Sequence, residues 1–360
     1  MSPRVGIDLL PAVTHAPGLG RYAREFVRAA VQLEHGYDLR LFEIGGGQRL
    51  FDRGTLGLDG RGLVHRASHL PRRAFELWSR LTGRDAARVL GGVDLFHRIL
   101  PDYPPVKGCR QLLPLAELPR TPSSIETLHR MDGLLVFSQA YERRLIDEFG
   151  LPAERVFRVP VGCDHWTRDL GARRPARERR VIVLGAIRSA RDPLSILHAF
   201  EELRDGGVDA QLLFVGRPGN VAHAFDEARR TSIHASAVEW IDEPVESHMP
   251  ALVAGSSLLV HLAHDEGTAV TPLEALAFGL PAVVSALPAF EEALGAHALY
   301  VDAETQKQPK RLAALLERGL AAADSDDATR ARREHAATYT WTDNARQTFR
   351  VWDELLRDSG

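Results

Sequence analysis

The sequence has little cysteine, no long apolar run and no excess of either charge, and each shortage excludes a class of protein. Cys109 and Cys163 are the only cysteines and lack metal-ligand spacing, so we expect two buried free thiols and no disulfide scaffold. No apolar run reaches the roughly 18 residues that span a bilayer. We see no signal peptide before the first apolar run, VGIDLL. The net charge of −3 gives no basic surplus for nucleic acid. We therefore expect a soluble, cytoplasmic protein that does not bind nucleic acid.

The length and the hydropathy pattern favour two α/β domains. At 360 residues, 44% of them hydrophobic, the chain is long enough for about two domains with large cores. Short apolar runs such as VGIDLL and VIVLGA, typical of buried strands, are followed by loops and by segments with apolar residues at helical spacing. The polar, arginine-rich run RDLGARRPARERR is interpreted as the linker between the domains.

Two carboxylates, Glu266 and Glu274, follow an apolar run late in the chain. Glu266 ends the loop after SSLLVHLA, and Glu274 lies in PLEALAFG, which we expect to be a helix opened by Pro272 and ended at Gly279. In a parallel sheet this order places the loop at the carboxyl ends of the strands, where ligands bind. Two carboxylates beside the free N–H groups of a helix start suit a ligand with hydroxyls at one end and phosphates between. A solvated helix face would show the same two acids.

A glycine motif near the amino terminus has more than one interpretation. Gly18 and Gly20 with Ala23 match the dinucleotide fingerprint G-x-G-x-x-A, and Glu43, at the end of YDLRLFE, would then bind the ribose. However, the loop PAVTHAP separates the first strand from these glycines, whereas the dinucleotide turn begins directly after its strand. The second interpretation is a flexible turn before a helix that begins near Arg21.

The stretch around the two acids resembles a known family. The spacing Glu-x7-Glu, the following LEALAFGLPAVVS and the run LPAFEEALGAHALYVDA are similar to the donor-site signature of retaining GT-B glycosyltransferases of family four, the glycosyl transferases group 1. The resemblance implies that Glu266 faces the transferred sugar and Glu274 holds the ribose hydroxyls. GLGRY is similar to the family's GIGRY, which implies that Gly18 and Gly20 face the donor phosphates and that Arg21 contacts the sugar or acceptor.

The resemblance also assigns phosphate-binding residues in the second half of the chain. Aligning LGAIRSARDP by its glycine places Arg191 where the family has a lysine that neutralises the donor diphosphate, with Arg188 nearby. Both are guanidinium donors able to bind phosphate in a bidentate way. Gly216, in AQLLFVGRPG, matches the glycine that borders the base pocket of the family.

The sequence departs from the family in two motifs. The first Glu of the family is usually followed by Gly-Phe-Gly, and here by Gly267, Thr268, Ala269 and Val270. We interpret this as a change in sugar or acceptor contact and keep Gly267, Thr268 and Val270 as donor-binding residues.

The second departure concerns a His-Asp pair, whose positions are taken here by Leu115 and Ala116, followed by Glu117. Either Glu117 or His97 supplies part of the missing sugar or acceptor contact, or the sugar is held differently, or catalysis is weakened. The alternative is that His97 is a structural histidine, since a lone histidine usually makes its hydrogen bonds to neighbouring protein groups.

The segment HLPRRAFELWSRLTGRDAARVL is predicted to be an amphipathic helix. Its apolar positions Phe75, Leu77, Trp78 and Leu81 lie beside Arg72, Arg73 and Arg80. Such a face can rest on anionic lipid headgroups, as enzymes that glycosylate lipid carriers often do. An ordinary helix that covers a sheet is the alternative.

Taken together, we expect an α/β protein of GT-B architecture, two Rossmann-like domains facing one another across a cleft. The resemblance places an acceptor-side domain at residues 1–165, a nucleotide-sugar domain at 166–340 and a helix at 341–360 that returns to the first domain. It implies a retaining hexosyl transfer from a nucleotide diphosphate sugar to a glycan or lipid-linked acceptor, as in polysaccharide biosynthesis, with no cofactor. No metal site is expected, since the run Asp324-Ser325-Asp326 matches D-x-D only superficially. A non-catalytic nucleotide-sugar-binding protein and an NAD-dependent oxidoreductase are the alternatives.

Overall fold

The chain folds into two compact units. The computed structural model describes residues 2–14, 18–44, 56–58, 63–68, 70–101, 104–167, 179–323 and 325–357. The first unit comprises Met1–Gly162 and Trp341–Gly360, and the second comprises Cys163–Thr340. Most of the expected linker, residues 168–178, and the first residue of the D-x-D run lie outside the described residues.

The first unit is built on a seven-stranded parallel sheet. Its strands are β1 (Arg4–Asp8), β2 (Asp38–Ile44), β3 (Val64–Ser68), β4 (Leu95–His97), β5 (Arg110–Leu115), β6 (Gly133–Val136) and β7 (Val156–Arg158). The order across the sheet is β3-β2-β1-β4-β5-β6-β7. Its first helices are α1 (Leu10–Thr14), α2 (Leu19–Gln32), α3 (Arg72–Thr82), α4 (Ala86–Val89), α5 (Pro122–His129) and α6 (Gln139–Asp147). Ser138 caps α6 by accepting from the N–H of Tyr141 at 3.4 Å.

The second unit is built on a six-stranded parallel sheet. Its strands are β8 (Arg180–Leu184), β9 (Gln211–Val215), β10 (Val238–Ile241), β11 (Leu258–His261), β12 (Ala282–Ser285) and β13 (Leu299–Val301). The order is β10-β9-β8-β11-β12-β13. Its helices are α7 (Pro193–Asp205), α8 (Ala222–Thr231), α9 (Met249–Ala254), α10 (Val270–Ala277), α11 (Pro288–Leu294), α12 (Pro309–Ala322) and α13 (Asp326–Ala336).

Both sheets are parallel and covered by helices, which explains the continuous apolar runs in the sequence. In the second unit Phe200, Phe214 and Phe225 are fully buried within one hydrophobic core. Truncating such a side chain to alanine typically costs about 3–5 kcal/mol. The core therefore holds the strand ends of this unit, and the loops that follow them, in fixed positions.

The last helix, α14 (Trp341–Arg357), belongs to the first unit. Trp341 and Trp352 on this helix are fully buried. The indole N–H of Trp352 donates to Nδ1 of His97 at 3.2 Å, and the phenol of Tyr37 donates to Asp353 at 2.6 Å. These contacts attach the end of the chain to the sheet of the first unit.

Three predicted boundaries differ from the structure. The run predicted as the loop PAVTHAP contains the short helix α1, and the next helix, α2, begins at Leu19 instead of near Arg21. The amphipathic segment is not one helix, because α3 ends at Gly83, which adopts a left-handed φ of 66°, and α4 begins at Ala86. The second unit begins at residue 163, three residues before the predicted boundary at 166.

Candidate functional site

The loops after β8 and β11 lie at the point where the strand order of the second sheet reverses. β8 pairs with β9 on one side and with β11 on the other, so the connections leave on opposite sides of the sheet. Ligands of open α/β sheets bind at such a point, outside the carboxyl ends of the strands. Arg191 ends a 3₁₀ turn after β8, and Glu266 lies in the loop after β11.

Arg191, Glu266 and His261 form a compact polar cluster at this point. Nη1 of Arg191 lies 2.5 Å from Oε2 of Glu266 and 2.5 Å from Nε2 of His261. Nε2 of His261 lies 3.0 Å from the same carboxylate oxygen. The predicted residues Arg191 and Glu266 are therefore brought together, whereas His261 was not predicted to be a site residue.

Burial and neighbouring charges together set the ionisation of this cluster. Burial alone would raise the pKa of Glu266, but attraction to Arg191 and His261, with their hydrogen bonds, lowers that pKa to about 2. Burial and the charge of Arg191 lower the pKa of His261, against the opposing effect of Glu266. At neutral pH the cluster therefore contains a guanidinium, a carboxylate and a neutral imidazole.

The turn that carries Arg191 is fixed at both ends by side-chain hydrogen bonds. Asp192, directly after it, has a left-handed φ of 44°, a conformation that costs about 1–3 kcal/mol in a residue other than glycine. Its carboxylate accepts from Nε2 of His264 at 2.9 Å and from the amide of Gln306. At the other end Asn220 accepts from the N–H of Ser189 and donates to its hydroxyl, both at 3.0 Å. These contacts hold the backbone of the turn that carries Arg191 in place.

Glu274 lies in the second turn of α10 and its side chain is fully buried. One carboxylate oxygen lies 3.1 Å from Nε2 of His165, whose ring is 3% exposed. His165 precedes Trp166, and the two ring centroids are 5.0 Å apart. The expectation of an open carboxylate beside the free N–H groups of a helix start is therefore corrected, because Glu274 is one turn further along α10 and is covered by His165.

The segment between the two acids contains the three small-residue positions assigned to the donor. Gly267 is buried, Thr268 is half-buried, and Val270 is the first residue of α10, which therefore begins two residues before Pro272. The hydroxyl of Thr268 is buried and has no hydrogen-bond partner among the residues that the structure describes. Helix α10 is closed by Gly279, as predicted, with a left-handed φ of 79°.

Arg188 and Gly216 have different surroundings. Arg188 is exposed, and its guanidinium makes no hydrogen bond or ion pair with any described residue. Gly216 lies against the backbone of the loop after β8, where a Cβ atom would meet the carbonyl oxygen of Gly185 at 2.0 Å. Trp240 donates its indole N–H to the carbonyl of Gly216 at 2.8 Å. Glycine is thus required at 216 for close packing of the backbone.

In the first unit, the predicted donor and acceptor residues lie at the start of α2. Gly18 precedes this helix with a φ of 62°, which favours glycine. Gly20 and Arg21 are buried in its first turn. Because α1 stands between β1 and these glycines, the direct strand-to-turn connection of a dinucleotide fingerprint is absent at this position. Glu43, its proposed ribose acid, is buried and lies 3.1 Å from His65.

Besides Arg21, His97 and Glu117 were the candidates for sugar or acceptor contact. His97 is fully buried, and besides Trp352 it contacts the hydroxyl of Tyr22 at 3.3 Å. Burial lowers its pKa to about 3. The expectation of a sugar or acceptor contact at His97 is therefore corrected to a structural role, the alternative given by the sequence. Glu117 is exposed, two residues after the end of β5.

The face of α3 is divided between core and surface. Phe75 is 1% exposed and packs against Phe42 and Trp78, so it does not belong to an exposed apolar face. Leu77 and Leu81 are 59% and 77% exposed.

Across the described ranges, no helix is both long and apolar enough to cross a membrane. No cluster of His, Cys, Asp and Glu suited to a metal ion occurs in the described part of the chain.

Most of the second unit matches a known protein family. Residues 171–335 match the family described as "Glycosyl transferases group 1". A similar stretch is 27% identical over 165 residues to the serotype-specific mannosyltransferase WbdA of Escherichia coli, covering 46% of this chain and 20% of that protein. The chain thus matches only about a fifth of the length of these curated relatives.

The fold of the whole chain also has solved relatives. Sucrose-phosphate synthase from Thermosynechococcus elongatus is 15% identical, with a TM-score of 0.73, over 99% of this chain and 100% of that one. Anabaena Alr3699/HepE, in complex with UDP and glucose, is 13% identical, with a TM-score of 0.70, over 98% of this chain and 100% of that one. At such identities the likeness concerns the fold, which is GT-B with two Rossmann-like units. The match over residues 171–335 makes that part of the chain similar to the glycosyl transferases group 1 family.

Proposed function

We propose that the protein transfers a hexosyl group from a nucleotide diphosphate sugar to a hydroxyl of a glycan or lipid-linked acceptor, with retention of configuration. The observation that carries the proposal is the contact between Arg191 and Glu266 where the order of the second sheet reverses. A cation suited to phosphates and an acid suited to sugar hydroxyls are adjacent there, within the stretch that matches the family.

In this proposal the arginines receive the leaving group. Transfer breaks the bond between the anomeric carbon and the phosphate oxygen and forms a bond to the acceptor oxygen, whose proton passes to the leaving diphosphate. As the first bond loosens, negative charge builds on the diphosphate and positive charge on the sugar ring. Arg191 and the exposed Arg188 stabilise the first charge, because preorganised cations need no reorganisation as the bond breaks. Glu266 stabilises the positive charge that develops on the sugar ring. We expect no metal requirement, so activity should persist in EDTA.

Glu274 is proposed to bind the donor's ribose, which requires His165 to move away from its carboxylate. Since Nε2 of His165 lies 3.1 Å from that carboxylate, ribose hydroxyls must displace His165 to reach Glu274. Gly267, Thr268 and Val270 lie in the segment between the two acids and are proposed to contact the donor. Gly18, Gly20 and Arg21 of the first unit are proposed for the donor phosphates and the acceptor.

A lipid-linked acceptor fits the exposed part of α3. Leu77 and Leu81 are exposed beside Arg73 and Arg80, a combination that binds anionic headgroups. We propose peripheral membrane contact through this part of the first unit.

The test is incubation with UDP-, GDP- and ADP-linked sugars, with measurement of released nucleotide and of melting temperature, because a ligand that binds only the folded state raises it. One donor should raise the melting temperature and release nucleotide, and Arg191→Gln should abolish release. Lack of any shift or release across the panel would refute the proposal.

Binding without turnover is a second candidate, and a specific observation favours it. The positions of the family's His-Asp pair are Leu115 and Ala116, which cannot transfer protons or bind a sugar through charge. In this case one nucleotide sugar would raise the melting temperature while no nucleotide is released at any acceptor concentration.

A further inference from the structure

His261 lies at the centre of the cluster, and its two contacts conflict. Its Nε2 atom lies within hydrogen-bond distance of both Nη1 of Arg191 and Oε2 of Glu266. A single ring nitrogen either donates or accepts, so it cannot accept from the guanidinium and donate to the carboxylate at the same time. Because burial and Arg191 lower the pKa of His261, the ring is neutral and carries one proton.

Neither position of that proton satisfies all the partners. With the proton on Nε2, the ring donates to Glu266 but faces another donor, Arg191. With the proton on Nδ1, the ring accepts from Arg191, but its lone pair faces Glu266. Nδ1 is also buried and has no hydrogen-bond partner among the described residues, and an unpaired buried donor is unfavourable. The conflict disappears only when Arg191 is withdrawn.

Arg191 has the most exposed side chain of the cluster. Its side chain is 30% exposed, against 14% for Glu266 and 2% for His261. His261 is also the last residue of β11 and packs against Phe290, with ring centroids 5.6 Å apart. A doubly charged anion arriving from solvent therefore competes with Glu266 for the guanidinium, while the imidazole stays in place.

We propose that the donor diphosphate draws Arg191 away from Glu266, and that His261 then becomes the positioning residue of Glu266 by donating its Nε2–H to the carboxylate. The inference rests on the proposed function, which supplies the diphosphate. It adds that the ligand-free protein holds its phosphate-binding arginine in an internal ion pair, and that arrival of the phosphates releases the acid that faces the sugar.

The first test is a double-mutant cycle on binding of UDP, GDP and ADP, read by calorimetry. Glu266→Gln removes the competing charge, so the affinity for the best-bound nucleotide should rise about two- to fivefold, the range expected for a partly exposed ion pair. In an Arg191→Gln background the same substitution should leave the affinity unchanged, because no arginine remains to be released. An equal rise in both backgrounds indicates general charge repulsion and overturns the exchange, as does no rise in the first.

The second test separates positioning from a structural role. His261→Leu fills the buried space without a donor, and His261→Gln keeps an amide N–H at a similar reach. Leucine should lower kcat for release of nucleotide from the donor by about tenfold or more, with nucleotide affinity within about twofold of the parent, and glutamine should restore most of kcat. An unchanged kcat in His261→Leu overturns the assignment. So does a joint loss of melting temperature, affinity and kcat that glutamine does not restore.

The two proposals fail in different ways. If the unmodified protein binds none of UDP, GDP and ADP, the proposed function is wrong. If it binds one of them and releases nucleotide from its sugar, but the cycle shows no coupling between residues 191 and 266, the function stands and the exchange is wrong.

Discussion

Arg191 and Glu266 are separated by 75 residues in the chain, yet Nη1 of one lies 2.5 Å from Oε2 of the other. Their contact joins the loops that leave β8 and β11, two strands that are neighbours only because the sheet grows first in one direction and then in the other. The same reversal brings Arg191 to the buried His261, which ends β11. The position of the site is therefore a consequence of strand order, and its ionisation is a consequence of burial and of the neighbouring charges.

The first prediction concerns Glu274 and the ribose. Glu274→Gln should lower the affinity for UDP or GDP by about tenfold or more, because hydrogen bonds from ribose hydroxyls to a charged acceptor are lost. Affinity for pyrophosphate, which has no ribose, should not change. Calorimetry with both ligands checks this. Equal losses for nucleotide and pyrophosphate would indicate general damage to the unit, and an unchanged nucleotide affinity would remove Glu274 from the donor site.

The second prediction uses the hydroxyl of Thr268, which has no hydrogen-bond partner among the described residues. Thr268→Val removes this buried hydroxyl while keeping the shape of the side chain, so the melting temperature should stay the same or rise. Affinity for the nucleotide sugar should nevertheless fall about three- to tenfold if the hydroxyl contacts the sugar. Thr268→Ser should keep the affinity, and binding of the nucleotide alone should be equal in all three proteins. A valine variant that binds the nucleotide sugar like its parent would exclude this contact.

The third prediction concerns the membrane. Replacing Leu77 and Leu81 by Glu should reduce co-sedimentation with phosphatidylglycerol vesicles several-fold, since apolar contact is lost and negative charge is added. Binding to phosphatidylcholine vesicles should be weak from the start. Val245→Glu is the matched control, because Val245 is 55% exposed but is followed by Glu246 and lies in the other unit. Equal loss in the control, or no loss in the double variant, would argue against the α3 surface.

The order of apolar runs and polar loops in the sequence predicted which loops lie at the carboxyl ends of the strands. Glu266 was singled out because it ends a loop after an apolar run, whereas Arg191 was assigned by resemblance, through alignment of LGAIRSARDP by its glycine. His261 was missed because it ends an apolar run, where a histidine looks like one more strand residue. Its position five residues before Glu266, at the carboxyl end of the same strand, was the available signal.

Contacts that depend on tertiary packing were not predictable in this way. His165 and Glu274 meet because a short turn at the start of the second unit packs against α10, and no local pattern encodes that approach. Gly216 was assigned to the donor by resemblance, whereas its observed surroundings show a backbone-packing role against Gly185. Gly216→Ala should therefore destabilise the unit with or without ligand, which makes this variant unsuitable as a test of donor binding.

The fourth prediction concerns Asp8, the last residue of β1, which is 1% exposed. One carboxylate oxygen accepts from the N–H of Leu10 at 3.1 Å, and the other has no hydrogen-bond partner in the described parts of the chain. Burial raises the pKa of Asp8 from 3.8 to about 7, against the opposing effects of the Leu10 N–H and the charge of Arg98. The folded protein therefore binds this proton more tightly than the unfolded chain.

The sign of the pH dependence follows from that difference. The contribution to stability is fully present below about pH 4 and is lost as the pH rises towards 7, by at most about 4 kcal/mol. Asp8→Asn carries no such charge, so its free energy of unfolding should vary less than that of the parent between pH 4 and 8. Denaturant unfolding, followed by tryptophan fluorescence at several pH values, measures both slopes. Parallel curves for the two proteins would show that Asp8 titrates alike in the folded and unfolded states.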